Sequence, residues 1–233
     1  MNALKLWCTR FLRRMGFSIR KIGHYAQKTK DNVVDFIKEF ILYKNKIILE
    51  YNLENNEECI GNADETPILL EPVDNKTVDI IGNKDINMIT FGKDKERVSV
   101  MLTVLGNGEK LPPMIIFKGV ENGTRYKSLL KNKYVKSKEI YIGYQVKSWL
   151  DENMYIKYLY NIWYQDSIYK RKEKILLIIY RASSHYSSTI NNIFKNNKSR
   201  YILLPPGLTS VMQPLDLVVN KPFKNNIRFQ YRN

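Results

Sequence analysis

Cysteine is nearly absent from these 233 residues: Cys8 and Cys59 stand far apart, with no Cys/His cluster around either. A disulfide framework and a zinc site are both excluded on that count, and a reducing compartment is the natural setting. Long apolar runs are missing too. Nothing approaches the roughly 18 residues that a membrane-crossing helix needs, and the basic start lacks an apolar segment closed by a small-residue cleavage site. No membrane partner and no secretion are expected. Acids are lacking at both ends, with none before Asp31 and none after Asp216.

What is present is positive charge and enough apolar mass for a core. Lys and Arg number 38 against 23 acids, a formal charge of +15, and 44% of residues are hydrophobic. That content fits a globular domain. The charge favours a polyanionic partner, nucleic acid first and an anionic membrane surface second.

Periodicity gives the organisation. Leu4, Trp7, Phe11, Leu12, Met15 and Ile19 share one face of a helix expected from Leu4 to Ile19, and Lys5, Arg10, Arg13 and Arg14 lie largely off it. DNA-binding helices, calmodulin targets and membrane-surface helices all have this pattern. A second helix is expected from Asp31 as N-cap through Val34, Ile37, Ile41, Ile48 and Leu49. The polar stretch Asn52 to Glu58 marks a boundary. Beyond it come β-prone runs at Cys59–Ala63, Asn87–Phe91, Val98–Leu105 and Met114–Lys118, with a turn at Gly106-Asn107-Gly108. A helix through Trp149, Met154, Tyr158 and Ile162, a strand at Ile175–Ile179, a helix at Ser187–Phe194 and a strand at Tyr201–Leu204 complete the reading. Hairpins followed by strand-helix-strand-helix predict an α/β fold, a mixed sheet flanked by helices.

Three blocks carry the chemistry: Asn62-Ala63-Asp64-Glu65-Thr66-Pro67, Leu176-Leu177-Ile178-Ile179-Tyr180-Arg181-Ala182-Ser183-Ser184-His185, and Leu203 to Asp216 with its Gln213-Pro214-Leu215-Asp216. Between and after them stand Thr77-Val78-Asp79, Arg97 to Gly108, Lys110 to Gly119, and Asn220-Lys221-Pro222-Phe223-Lys224. In that order and spacing the blocks resemble the DDE superfamily of transposase endonucleases, in its pogo/Tigger/jerky branch, over residues 58 to 233. Residues 7 to 20 are similar to the last helix of the helix-turn-helix domain that these transposases share with centromere protein B. The resemblance implies an RNase H-like domain over 58–233 that ends before the fold's usual closing segment. It also implies a helical linker over 31–57 and, over 1–30, the remnant of a DNA-binding domain, with Arg10, Arg13, Arg14, Arg20 and Lys21 as DNA contacts.

The implied activity is phosphodiester cleavage and strand transfer with Mg²⁺ or Mn²⁺, in the nucleus, on DNA, with a partner transposase subunit as a further candidate. Two divalent ions activate the attacking oxygen and stabilise the leaving one. Hard ions of this kind are held by carboxylate oxygens. By resemblance Asp64, at the end of the first strand, and Asp216, at the start of a late helix, are catalytic metal ligands. The second acid should stand five positions before His185, where this sequence has Tyr180. The apolar strand before it is intact and 35 residues separate Tyr180 from Asp216, so the register is right and the residue is not. A phenol with an ordinary pKa near 10 is neutral and a poor Mg²⁺ ligand. No substitute is evident: Glu65 should face away from Asp64 on a strand, Asp151 and Asp166 match no catalytic position, and His185 reads as a polar contact near the strand end. Asp216 also reads as a helix N-cap. The expected protein is a transposase-derived DNA binder with impaired cleavage. A non-catalytic nucleic-acid-binding protein and a fragment of a decayed element are the alternatives.

Overall fold

The computed structural model describes residues 2–21, 33–70, 76–82, 97–121, 123–165, 174–205 and 207–232. The chain forms two compact units. One comprises residues 1–28 and 69–96, the other residues 29–68 and 97–233.

In the first unit, α1 (Asn2–Arg14) is followed by β1 (Phe17–Lys21), which pairs antiparallel with β3 (Lys76–Ile80), Phe17 opposite Ile80 and Lys21 opposite Lys76. The helix expected to reach Ile19 therefore stops five residues short. Gly16 at φ 79° takes the left-handed conformation that ends helices, and the strand pairing takes the residues beyond it. The apolar period continues through Ile19 because that strand residue also falls on it. The expected strand at Asn87–Phe91 lies outside the described residues, as does the Asp31 cap.

The second unit is built on a six-stranded sheet in the order β6-β5-β4-β2-β7-β8. Its strands are β2 (Ile60–Leu69), β4 (Arg97–Leu105), β5 (Met114–Lys118), β6 (Tyr141–Gln145), β7 (Leu176–Tyr180) and β8 (Arg200–Leu204). The β4–β5 pair is antiparallel, whereas β5–β6, β2–β7 and β7–β8 are parallel. This is the mixed sheet that the sequence predicted. Alternation on β4 and β5 sorts two cores. Met101, Leu105, Met114 and Ile116 face one cluster with α5 (Glu152–Tyr158), while Val98, Val100, Ile115 and Phe117 face another with Phe223 and Ile227 of α8 (Asn220–Arg232).

The first cluster is rich in aromatics. Tyr155 and Tyr158 of α5 are fully buried, and the Tyr158 hydroxyl pairs with Thr103 Oγ1 at 2.7 Å. The Trp163 ring, on the π-helical turn after α5, lies so close to Gly61 that a Cβ there would sit 2.4 Å from it. Asp151, excluded as catalytic, caps α5 by accepting from Met154 N at 2.8 Å. Asp166 lies outside the described residues. The long helix α2 (Val33–Glu50) buries Phe40 and Ile47, whereas Val34, Ile41 and Leu49 are exposed, so its core face is rotated from the expected one. Several short elements were not expected at all, among them α3 (Thr124–Leu129), α4 (Lys133–Lys136), β3 and β6. Ser187 caps α6 (Ser188–Asn196) as its N-terminal position predicts.

Candidate functional site

Parallel strands deliver their last residues to one edge, and in open α/β sheets that edge is where ligands bind. The β2–β7 ladder ends at Ala63 opposite Ile179. Asp64 is the next residue on β2 and Tyr180 the next on β7. Asp64 is thus inside a ten-residue strand, because β2 runs on to Leu69, yet it stands at the end of the parallel ladder as the site requires.

The third position comes from the chain after β8. A short helix, α7 (Thr209–Met212), leads through Gln213 to a π-helical turn at Leu215–Val219 and then into α8. Buried amides fasten this segment to the sheet. Gln213 Nε2 donates to the Ala63 carbonyl at 3.0 Å, Asn62 Nδ2 donates to the Ile178 carbonyl at 3.0 Å and to Gln213 Oε1 at 3.4 Å, and Leu215 N donates to Asn62 Oδ1 at 3.4 Å. Asp216 is held against Asp64 by this link. It is not a helix N-cap: Pro214 holds that place, and Asp216 lies in the first turn.

Asn220 joins the two acids. Its Nδ2 donates to Asp64 Oδ2 at 2.7 Å and to Asp216 Oδ1 at 2.8 Å. Its own Oδ1 is buried and has no hydrogen-bond partner among the described residues. Burial, and then the charge of Asp216, push the Asp64 carboxyl up from 3.8 to about 7 against the lowering effect of Asn220. Lys224, one turn further along α8, also lines the cleft. Burial lowers its pKa while Asp216 supports its charge. The steps from Asp216 to Asn220 to Lys224 are the i, i+4 spacing of one helix face, a signal present in the sequence that assigned no role to Asn220 or Lys224.

Tyr180 lies in this cleft of about 300 Å³ together with Asp64, Asp216, Arg97 and Trp149. Its hydroxyl donates to Glu65 Oε2 at 3.4 Å, and Leu150 N donates to Glu65 Oε1 at 3.3 Å. Glu65 does not face away as strand alternation predicted. β7 stops at Tyr180, so the sheet no longer separates its two faces there, and the long side chain reaches the phenol. Burial, and then Glu65 and Asp64, raise the Tyr180 pKa well above its usual value and keep the phenol neutral. Among the described residues, no three His, Cys, Asp or Glu side chains form a group able to hold a metal.

His185 lies under the strand end. Its Nδ1 donates to the Tyr180 carbonyl at 2.8 Å, and the ring packs on Tyr155 and Tyr180 with centroids 4.7 and 4.8 Å away. Burial pulls its pKa down to about 4, so it is a neutral positioning group. At the rim, the Arg97 guanidinium lies 4.3 Å over the Trp149 ring, a pair the sequence did not single out. Arg10, Arg13 and Arg14 are exposed on α1, in the other unit, and Arg20 and Lys21 lie on β1.

Comparison with known proteins places these features. Residues 95–233 match the DDE superfamily endonuclease family. A pogo transposable element protein with a KRAB domain from Mus musculus is 30% identical over 97% of this chain, and its Homo sapiens counterpart is 29% identical over the same share. The chain spans 36% of the length of each. The fold is similar to that in the crystal structures of the Mos1 strand transfer complex and of the Mos1 mariner paired end complex with Mn. Both have a TM-score of 0.52, at 11% and 10% identity, and cover 95% of this chain and 56% and 57% of theirs. The six-stranded mixed sheet with flanking helices is thereby of the RNase H-like type.

Proposed function

The chain belongs to the DDE superfamily of endonucleases, and from that premise we propose that it is a transposase-derived DNA-binding protein whose metal-dependent cleavage is impaired. The observation that carries this reading is Tyr180, which fills the position beside Asp64 where a second acid is required and binds Glu65 instead of offering a carboxylate.

The donor set fits one hard divalent ion. Asp64 and Asp216 would hold Mg²⁺ or Mn²⁺, with the unpartnered Oδ1 of Asn220 as a neutral oxygen once its amide turns. It does not fit a second ion, since the phenol is neutral and bulky. In the superfamily such ions supply the activation of the attacking oxygen and the stabilisation of the leaving one. The chain's own residues do the rest: the Asn62–Gln213 link holds Asp216 to Asp64, Lys224 and Arg97 attract phosphate, and His185 fixes the end of β7. One missing charge-stabilising group commonly costs about 10²–10³ in rate.

The exposed arginines Arg10, Arg13 and Arg14, with Arg20 and Lys21 next to them in sequence, support duplex binding by residues 1–30, the segment that resembles a helix-turn-helix remnant. The nucleus is the compartment in which such a protein meets DNA, and a partner transposase subunit is a further candidate. The test is plasmid nicking with Mn²⁺, together with calorimetry, on the protein and on Tyr180→Asp. The tyrosine form should neither nick nor bind a second ion, and Tyr180→Asp should gain metal binding that Asp64→Asn removes. Robust cleavage by the tyrosine form, abolished by Asp64→Asn, would overturn the reading.

A further inference from the structure

β8 is the last strand of the sheet, and between it, α2 and α6 lies a cleft of about 510 Å³ that shares no lining residue with the acid cleft. Its walls are aromatic. Tyr201 of β8 is fixed on one side: its hydroxyl donates to Asn191 Oδ1 at 2.7 Å and its ring packs on Phe194 at 4.7 Å. Tyr43 of α2 stands on the other side, half exposed and with no ring partner among the described residues. It is near enough that, after burial, it is what raises the Tyr201 phenol above its usual pKa.

The rim is cationic. Lys195 and Arg200 line the cleft, and none of its lining residues is an acid. Arg200 is held in place by Glu50 Oε2 at 3.4 Å and lies 5.9 Å from the Tyr51 ring centre. Glu50 offsets part of the Arg200 charge but holds the guanidinium at the rim, and Lys195 is exposed beside it. Flat aromatic walls beneath positive charge are the two ingredients of a single-strand binding groove. Every base has a π-face to stack, and every nucleotide carries a phosphate. The volume lies within the range of sites that enclose a small organic ligand.

We propose that this cleft binds an unpaired nucleotide of single-stranded DNA, its base between Tyr43 and Tyr201 and its phosphate toward Lys195 and Arg200. An acidic peptide adding to the open edge of β8 would use the same cations. It would leave the tyrosine slot without purpose, which is why the nucleotide is favoured. Such a site is additional to duplex binding by residues 1–30 and does not depend on the state of the acid cleft.

Fluorescence anisotropy of the full chain with a labelled short oligothymidine, an abasic strand of equal length and a blunt duplex tests it. Tyr43→Ala, an exposed position that folding tolerates, should weaken oligothymidine binding about tenfold. Tyr43→Trp should restore it. The abasic strand should bind the unaltered protein as weakly as oligothymidine binds Tyr43→Ala, and duplex affinity should be the same in all three proteins. Equal binding of the base-bearing and abasic strands, or an unchanged Tyr43→Ala variant, would overturn the proposal. So would displacement of oligothymidine by polyglutamate as readily as by unlabelled strand, which would make the cleft a site for acidic peptides. Absence of duplex binding, or of a gain in metal binding by Tyr180→Asp, would count against the preceding reading alone.

Discussion

Tyr180 and Glu65 are hydrogen-bond partners just past the end of the ladder between two neighbouring strands, the phenol donating to Glu65 Oε2 at 3.4 Å. The tyrosine therefore does two things: it omits one carboxylate and ties up the nearest other one. Tyr180→Phe separates these effects. It should cost about 0.5–1.5 kcal/mol in urea melts, the worth of an ordinary hydrogen bond, and should bring no metal affinity. A Phe variant that binds Mn²⁺ in calorimetry would show that a freed Glu65 can serve as the missing acid.

Asn220 keeps two carboxylates side by side, so its loss should be felt most when both are charged. Asn220→Ala removes two hydrogen bonds to charged groups, worth about 1.5–3 kcal/mol each. The loss should be larger at pH 8 than at pH 5, where Asp64 carries its proton. An equal loss at both pH values would contradict the bridging role.

Asp64 and His185 should tilt the pH–stability curve in opposite directions. Asp64 has its pKa raised from 3.8 to about 7, so the native state binds the extra proton between those values and stability falls as pH rises through them. His185 has its pKa lowered from 6.5 to about 4, so the unfolded state binds the extra proton and stability falls as pH drops through that window. Asp64→Asn should leave a curve that rises from pH 4 to 6.5. His185→Gln should leave one that falls over the same span. Denaturant midpoints across pH decide it.

Gly61 admits no side chain, because the Trp163 ring occupies the space of its Cβ. Gly61→Ala should cost at least the roughly 1–3 kcal/mol of an overpacked core. The same substitution at Gly108, where nothing lies within 4 Å, meets only the strain of its positive φ.

For DNA, each phosphate neutralised contributes about −0.9 to the slope of log affinity against log salt. Arg10, Arg13 and Arg14 replaced by alanine should flatten the slope by up to that amount per residue in duplex binding. An unchanged slope would move the contact elsewhere.

How much could be read in advance differs by residue. β4, β5, β7 and β8 were legible to within a residue because buried strands are continuous apolar runs, and α6 because Ser187 marks its start. Asp64, Tyr180 and Asp216 were legible as a set from the blocks around them. β1 was not, since Ile19 also continues the period of α1 and the strand's partner lies far along the chain. β6 is short and broken by Gly143, which leaves no alternation to read. The roles of Asn220 and Glu65 depend on which side chains tertiary packing brings within 3 or 4 Å, and local pattern holds no record of that.

The pairing of β1 with β3 has a consequence in time. During synthesis Lys21, the last residue of β1, is made 55 residues before Lys76, the first residue of its partner, so at about 5–20 residues per second β1 waits roughly 3–11 s with its edge open. The α1–β1 segment is thus made first and completed late. A chain shortened to begin after residue 30 would leave β3 without the partner strand it has among the described residues, with Val78 and Ile80 exposed on a strand edge. For this protein, deleting the basic segment removes a strand as well as its charge, and poor recovery of such a truncation would report an orphaned β3.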